Sequence, residues 1–462
     1  MQDCNQLDLS VFKSYDIRGA YPKALNEDLV ALIARAYVAQ FSPKSIVVGW
    51  DARLSSEPLA ERLMQTLQSC GVEVWSLGLC GTEEVYFATS YLQADGGIMM
   101  TASHNPKQDN GLKMVTQGSR PVGKASGLDA IKQRILNQQL AQDTAQQAAR
   151  LDKSDKQFYI QHLLTYVDLA QLKPLKVVVN GGNGAIGPTF QQLSTQLPFE
   201  FIEINMTPDG NFPNGVPNPM LIDKRAQTIA AVQAHQADLG VAWDGDFDRC
   251  FLFDEHGAFI DGYYLIGLLA QTLLESKQQV LGAGDKIVYE PRLTWNTLEQ
   301  VAQAGGEAVC ARTGHVYIKE KMREVDAIYG GEISAHHYFK DFFYCDSGMI
   351  PWLLITQLLS QTGQSLSELV SARMQAHPCS GELNFTVEHA DDIIATVKET
   401  FAPEALEVNY QDGLSIEYAQ WRLNIRRSGT EPLLRLNIES RGDMALVQQK
   451  VAEVTAIIQR IG

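Results

Sequence analysis

Three times along this chain a short β-branched run leads into a helix-like stretch and then into a second strand that ends in a polar loop. The opening runs are Ser45–Val48, Lys176–Val179 and Lys286–Tyr289. The second strands are Gly97–Thr101 before ASHNP, Asp238–Trp243 before DGDFDR, and Asp326–Gly330 before GEISAHH. Strands alternating with amphipathic helices predict α/β units with mixed, largely parallel sheets. Ligands of such sheets gather at the carboxyl ends of strands, so each unit offers one loop to a shared cleft. The tail from about Arg373 departs from this grammar. There WRLNIRRSGTEPLLRLNIES reads as two alternating strands around a polar loop, with a helix-like end after it, which predicts a smaller C-terminal α+β domain.

A length of 462 residues suggests about three domains by itself. The three units and the tail refine this to four: 1–150, 151–254, 255–368 and 369–462. The first break falls in Asn137–Gln157, rich in Gln, Ala and Asp, expected to carry a solvated helix and a linker; another falls near the polar run Ser360–Ser367. NMTPDGNFPNGVPNP at Asn205–Pro219 is too dense in Pro, Gly and Asn for anything but a long loop, on the surface or reaching the cleft.

The net charge of −16 argues against nucleic acid as a partner, while leaving room for an anionic substrate in a local basic pocket. Seven cysteines are scattered without a CxxC pair and read as reduced thiols of a cytoplasmic protein. MQDCNQLDLS has no basic segment followed by an apolar one, and the longest apolar stretches are too short for a bilayer, so neither secretion nor a membrane partner is expected.

Four loops carry candidate chemistry. LGVAWDGDFDRCFLF sets Asp244, Asp246 and Asp248 at alternate positions between a strand at Leu239–Trp243 and another at Cys250–Phe253. Alternate residues of an extended segment project to one side. Three carboxylates pointing one way suit a hard cation such as Mg²⁺, or else a solvated acidic turn. A calcium loop is excluded because Arg249 stands at the sixth position, where that loop needs Gly. In DGGIMMTASHNP, Ser103 is a weak nucleophile unless activated, with His104 beside it and Lys113 following. No GxSxG elbow supports a hydrolase. GEISAHHYF combines Glu332, Ser334, His336 and His337 as donors and acceptors for sugar hydroxyls, or as a buried hydrogen-bonded turn. Arg426, Ser428, Gly429 and Thr430 offer a guanidinium fork, two hydroxyls and an approachable backbone to a phosphate, or make a basic β-turn.

Taken together, TASHNP, DGDFDR, GEISAHH and RRSGTEP, in that order, resemble the phosphoserine, metal, sugar and phosphate loops of the α-D-phosphohexomutase superfamily over essentially the whole chain. FKSYDIRGAYP, GTEEVYFATSYL, TPDGNFPNGVPNP and SAHHYFKDFFYCDSGMIPWLL are similar to its bacterial phosphomannomutases, which feed GDP-mannose synthesis. The resemblance implies four domains around a central cleft: a phosphoserine, a metal-binding and a sugar-binding domain, and a C-terminal phosphate-binding domain. It implies that Ser103 carries a phosphoryl group, and that Asp244, Asp246 and Asp248 hold one Mg²⁺ with a phosphoserine oxygen. Mannose 6-phosphate and mannose 1-phosphate would interconvert through a hexose 1,6-bisphosphate. Tyr15, Arg18, His104, Lys113 and Arg249 match the family's active-site positions, with Lys113 for proton transfer and Arg18 or Arg249 for charge stabilisation. His315 matches a position lining the cleft. Gly429 is often Asn in the family, so here its expected contribution is through the backbone alone. Rival readings are a phosphoglucomutase or dual-specificity mutase, a phosphatase working through phosphoserine, and a silent sugar-phosphate binder.

Overall fold

A computed structural model describes residues 8–281, 284–428 and 433–461. The chain divides into two compact units, Met1–Phe259 with Asp341–Gly363, and Ile260–Lys340 with Gln364–Gly462.

The first unit contains two sheets. One runs in the order Ile17–Ala20, Asp109–Thr116, Gly96–Met100, Ser45–Trp50, Glu73–Leu79, Arg150–Asp152. Its central strands are parallel, and the Ile17 and Asp109 strands run antiparallel at one side. Alternation on Ser45–Trp50 explains the layers. Ile46 and Val48 face a core built with the helices Glu27–Phe41, Ser56–Ser69 and Asp129–Leu136. Val47 faces the opposite core, with Val85 and Ala88 of the helix Thr82–Tyr91. The second sheet has the order Cys250–Phe253, Leu239–Trp243, Lys176–Asn180, Glu200–Ile204, with the first pair antiparallel and the rest parallel. The helix Ile350–Thr362 also belongs to this unit; its buried Trp352 meets Phe190, Phe201 and Trp243 edge-on or tilted at 6.3 Å.

The second unit repeats the α/β pattern. Glu307–Cys310, Lys286–Tyr289 and Tyr329–Gly331 are parallel neighbours, and His337–Phe339 returns antiparallel. Its other sheet is wholly antiparallel, in the order Leu383–Thr386, Leu433–Ser440, Trp421–Arg427, Leu414–Glu417, Glu407–Asn409. The helices Ala390–Phe401 and Met444–Ile461 cover it.

The expected helix within Asn137–Gln157 is not there. Before the helix that opens at Gln157, the stretch is irregular apart from Arg150–Asp152, which joins the edge of the first sheet by backbone pairing and an exposed Arg150–Glu61 ion pair, with all three residues exposed. Asn205–Pro219 carries no helix or strand, as its composition requires. The six described cysteines are free thiols. No helix among the described residues is long and apolar enough to cross a membrane.

Candidate active site

Ser103 sits just past the strand Gly96–Met100, and Asp244 just past Leu239–Trp243, both at carboxyl ends of sheet strands. Ser103 is buried, with its backbone in the left-handed region at φ +51°. Its Oγ donates to Asp244 Oδ2 at 2.8 Å and lies 3.0 Å from His104 Nδ1. A side chain at Gly245 would meet the Ser103 carbonyl at 2.6 Å, so only glycine lets the two loops approach this closely.

Around this contact the charges interlock. Arg249 donates to Asp244 Oδ2 from Nε and Nη2, at 3.0 and 2.8 Å, and its Nη2 is 2.5 Å from His104 Nδ1. Lys113, from the strand Asp109–Thr116, donates to Asp246 Oδ2 at 2.7 Å and also to Asp248 Oδ2. Thr82, opening its helix, donates its hydroxyl to Asp246 Oδ2 at 2.5 Å and its amide to the Asp246 carbonyl at 3.0 Å. Arg18 is held by Asp16 at 2.8 Å and reaches Asn105 Oδ1 at 2.6 Å. Tyr15 is half-buried in the turn ahead of Arg18.

Burial tends to strip Lys113 of its proton, but Asp246 and Asp248 outweigh it and hold the group as a firm ammonium. Burial also favours a neutral Asp246, yet Lys113 and the Thr82 hydroxyl keep it ionised. Asp248 is pushed well up, by burial and then by Asp246. Burial, then Arg249 and Arg18, push His104 well down, so its Nδ1 is an acceptor.

One carboxylate oxygen from each of Asp244, Asp246 and Asp248 lies within 4.8 Å of the others. Oδ1 of Asp244 and of Asp246 is buried with no hydrogen-bond partner. Orphaned acceptors that converge this way fit a hard divalent cation with oxygen ligands.

The second unit brings together a different set. His315 is half-buried and opens the helix His315–Val325. Glu332 is buried, accepting from the Gly314 amide at 2.7 Å and from the Tyr338 hydroxyl. Burial, then the neighbouring Glu290, push its carboxyl up to about 7 against the pull of Arg292. Ser334 Oγ and His336 Nδ1 are 3.0 Å apart. His337 turns inward, with Nδ1 2.6 Å from the Tyr329 hydroxyl, and burial lowers it to about 3. The two adjacent histidines thus part to opposite sides, as in any extended segment.

Arg426 lies 3.7 Å from Glu382 Oε2, which also accepts from Arg292 at 2.6 Å, while Arg435 donates to the other oxygen at 3.0 Å. Glu290 also pairs with Arg292, and Asp412 lies 3.8 Å from Arg426, so three guanidinium groups and three carboxylates interlock here. Arg292 Nη2 and Arg426 Nε are buried without a hydrogen-bond partner, donors suited to an anion. Ser428 follows, its amide donating to the Leu433 carbonyl at 2.8 Å. Gly429 and Thr430 lie outside the described residues.

Sequence reasoning missed Arg53, Thr82, Asn105, Arg292, Glu382 and Arg435. Arg53 and Arg292 had a usable signal, since GWDAR and YEPR each follow a strand directly at its carboxyl end. Thr82 and Glu382 had none, because their partners are distant in sequence.

Four domain descriptions of the phosphoglucomutase/phosphomannomutase family match the chain: α/β/α domain I over residues 9–142, domain II over 157–257, domain III over 261–377 and the C-terminal domain over 382–457. A phosphohexose mutase of Xanthomonas campestris pv. campestris is 52% identical over 98% of this chain and 99% of its own length. The phosphomannomutase of Escherichia coli K12 is 48% identical over 97% and 99%. A solved family protein from Burkholderia thailandensis superposes with a TM-score of 0.87, at 30% identity over 98% of both chains. The fold is therefore three α/β/α domains plus an antiparallel C-terminal domain. The chain belongs to the α-D-phosphohexomutase superfamily, in its phosphoglucomutase/phosphomannomutase family, and is an enzyme of the isomerase class.

Proposed function

We propose that the enzyme interconverts mannose 6-phosphate and mannose 1-phosphate, through a phosphoryl group carried on Ser103 and a hexose 1,6-bisphosphate, supplying GDP-mannose synthesis. The observation that carries this reading is the Ser103 hydroxyl set at 2.8 Å against the aspartate triplet. Supporting it, relatives named phosphomannomutase are about half identical over nearly the full chain.

A phosphoryl group on Ser103 removes the proton now donated to Asp244 and adds nearly two negative charges beside carboxylates. Asp244, Asp246 and Asp248 would hold Mg²⁺, which when bound offsets that charge and polarises the phosphoryl oxygens. Arg249 and Arg18 supply fixed positive charge to the transferring group. Lys113 carries the proton: as the sugar hydroxyl forms its bond to phosphorus and the Ser103 Oγ–phosphorus bond breaks, the ammonium protonates the departing Oγ and is reprotonated by the sugar hydroxyl. In the return direction the Ser103 hydroxyl attacks and the same proton passes back to the sugar oxygen. Its high proton affinity comes from Asp246 and Asp248, so sharing those carboxylates with a cation brings Lys113 toward exchange. In the second unit Glu332, Ser334, His336 and His315 read sugar hydroxyls, and Arg426 with Ser428 docks the phosphate that is not reacting. Tyr15 lines the substrate site.

Parallel assays with mannose 1-phosphate, glucose 1-phosphate and released inorganic phosphate test the reading, together with mass spectrometry of Ser103 after incubation with glucose 1,6-bisphosphate. Mannose turnover above glucose turnover with little free phosphate is expected. Comparable rates on both sugars would make the enzyme a dual phosphohexose mutase, and stoichiometric phosphate release would make it a phosphatase.

A further inference from the structure

Ser103 keeps a left-handed backbone that a serine does not choose by itself, and its peptide groups on both sides are taken by one buried frame. Asp51 and Arg53 follow the central strand Ser45–Trp50 and are almost wholly buried. Arg53 spreads its guanidinium over four carbonyls of the serine loop. Nη2 donates to Ser103 O and Asn105 O, both at 2.7 Å, and Nη1 to Pro106 O at 2.7 Å and Asp109 O at 2.9 Å. Asp51 works from the other side. Its Oδ2 accepts the Thr101 hydroxyl at 2.7 Å, and Thr101 Oγ1 in turn accepts the Ser103 amide at 2.8 Å. Asp51 Oδ1 is fixed by the Ser56 hydroxyl at 2.5 Å and the Arg53 amide at 3.0 Å, so the frame closes on itself.

The long loop Asn205–Pro219 secures the frame from outside. The Phe212 ring lies 5.6 Å from the Arg53 guanidinium, and the backbone at Gly210 passes so near Ala52 that a Cβ there would stand 2.4 Å from its carbonyl. A fan of amides pins this loop: Asn214 donates to Asn183 and Asn205, and Asn205 donates to Asn180 and Gln227.

We propose that Asp51, Arg53 and Thr101 are positioning residues for phosphoryl transfer, holding the Ser103 backbone so that Oγ stays aimed at the aspartate triplet. The inference rests on the reading of Ser103 as phosphoryl carrier. None of the three residues donates to or accepts from the Ser103 Oγ, so their effect runs through the serine peptide groups. A lysine at 53 keeps the charge but cannot span four carbonyls with a planar fork.

The test compares Arg53→Lys, Thr101→Val and Thr101→Ser with the parent in the full-length enzyme. Steady-state kinetics, a melting curve and the intact mass after incubation with glucose 1,6-bisphosphate are measured for each. Losing hydrogen bonds to a charged group should lower kcat about ten- to hundredfold in Arg53→Lys. KM for the sugar phosphate should stay within about threefold of the parent, because the interaction matters for transfer and not for sugar binding. Thr101→Val should lose kcat in the same way, while Thr101→Ser, which keeps the hydroxyl bridge, should recover it. The threonine pair decides the matter if Arg53→Lys fails to fold. Parent kcat in Thr101→Val, with Ser103 phosphorylated, would overturn the frame. A parent enzyme that turns over without added phosphoryl mass at Ser103 would overturn the functional reading beneath it.

Discussion

Asp246 has Lys113 and Thr82 on one oxygen and no hydrogen-bond partner on the other. Replacing it with asparagine removes charge from the open oxygen but keeps an acceptor for both neighbours. Asp246→Asn should therefore fold normally while losing several kcal/mol of transition-state stabilisation, about a hundredfold or more in kcat. Full activity of this variant in the presence of EDTA would exclude the cation role. Glu332 permits a different test. Its folded-state carboxyl stands near 7, above the ordinary 4.5, because it is buried beside Glu290. Stability associated with the neutral form is complete below pH 4.5 and is lost as pH rises through about 7. A sugar hydroxyl donated to Glu332 needs the ionised form, so kcat/KM should rise with pH through about 7 and then level. Glu332→Gln should flatten that limb, and it should gain stability relative to the parent at pH 8 compared with pH 5. A parent profile that is flat across this range, or a limb that survives in the variant, would remove Glu332 from recognition.

The strand pair Trp421–Arg427 and Leu433–Ser440 sets Arg426 directly opposite Arg435. Like charges opposed across a sheet repel, and Glu382 with its two oxygens is what makes the pairing tolerable. The arrangement holds two guanidinium groups rigid beside Arg292. Arg426→Ala should weaken apparent binding of both the 1-phosphate and the 6-phosphate about ten- to hundredfold, since each presents its unreacting phosphate to one anchor. Both directions of the reaction should be measured, with free bisphosphate trapped; a loss confined to one sugar phosphate would dismiss a common anchor. Legibility at this scale follows from where an element takes its stability. Leu239–Trp243 and Cys250–Phe253 are buried along their whole length, so their apolar runs announced them to the residue. Arg150–Asp152 is held by backbone pairing at an edge and carries no apolar face, so a helix was expected nearby and none formed. The reactive loops were legible because carboxylates, Ser and Arg cluster at strand ends. Their supports were not: Thr82 meets Asp246 across two sheets' worth of chain, and a threonine hydroxyl has no spacing rule that points so far.

At the scale of the molecule, the triplet closes one compact unit on itself. Residues from the first sheet (Ser103, Lys113 and Thr82) and from the second (Asp244, Asp246 and Asp248) share buried charge. The helix Ile350–Thr362 is bound into the same unit by Trp352 against Trp243, the residue just before Asp244, and the indole of Trp243 donates to Gly348 O at 2.9 Å. Without a cation the carboxylates repel one another and leave orphaned oxygens, which works against folding. A ligand that binds only the folded state stabilises it by mass action, by about 2.7 kcal/mol at a hundred times its Kd. For a unit of this size that corresponds to a rise in Tm of about 5 °C. Calorimetry of the full chain with saturating Mg²⁺ should show the rise, and EDTA should reverse it. Asp246→Asn should show little of the shift, and it should start from a Tm below that of the metal-free parent, because the buried Lys113 ammonium loses one of its two carboxylate partners. Calcium ions at equal concentration should raise Tm too, since both are hard cations with oxygen ligands, but turnover should follow Mg²⁺. An unchanged parent Tm at all Mg²⁺ concentrations, or an equal shift in the variant, would show that the triplet is not the binding site.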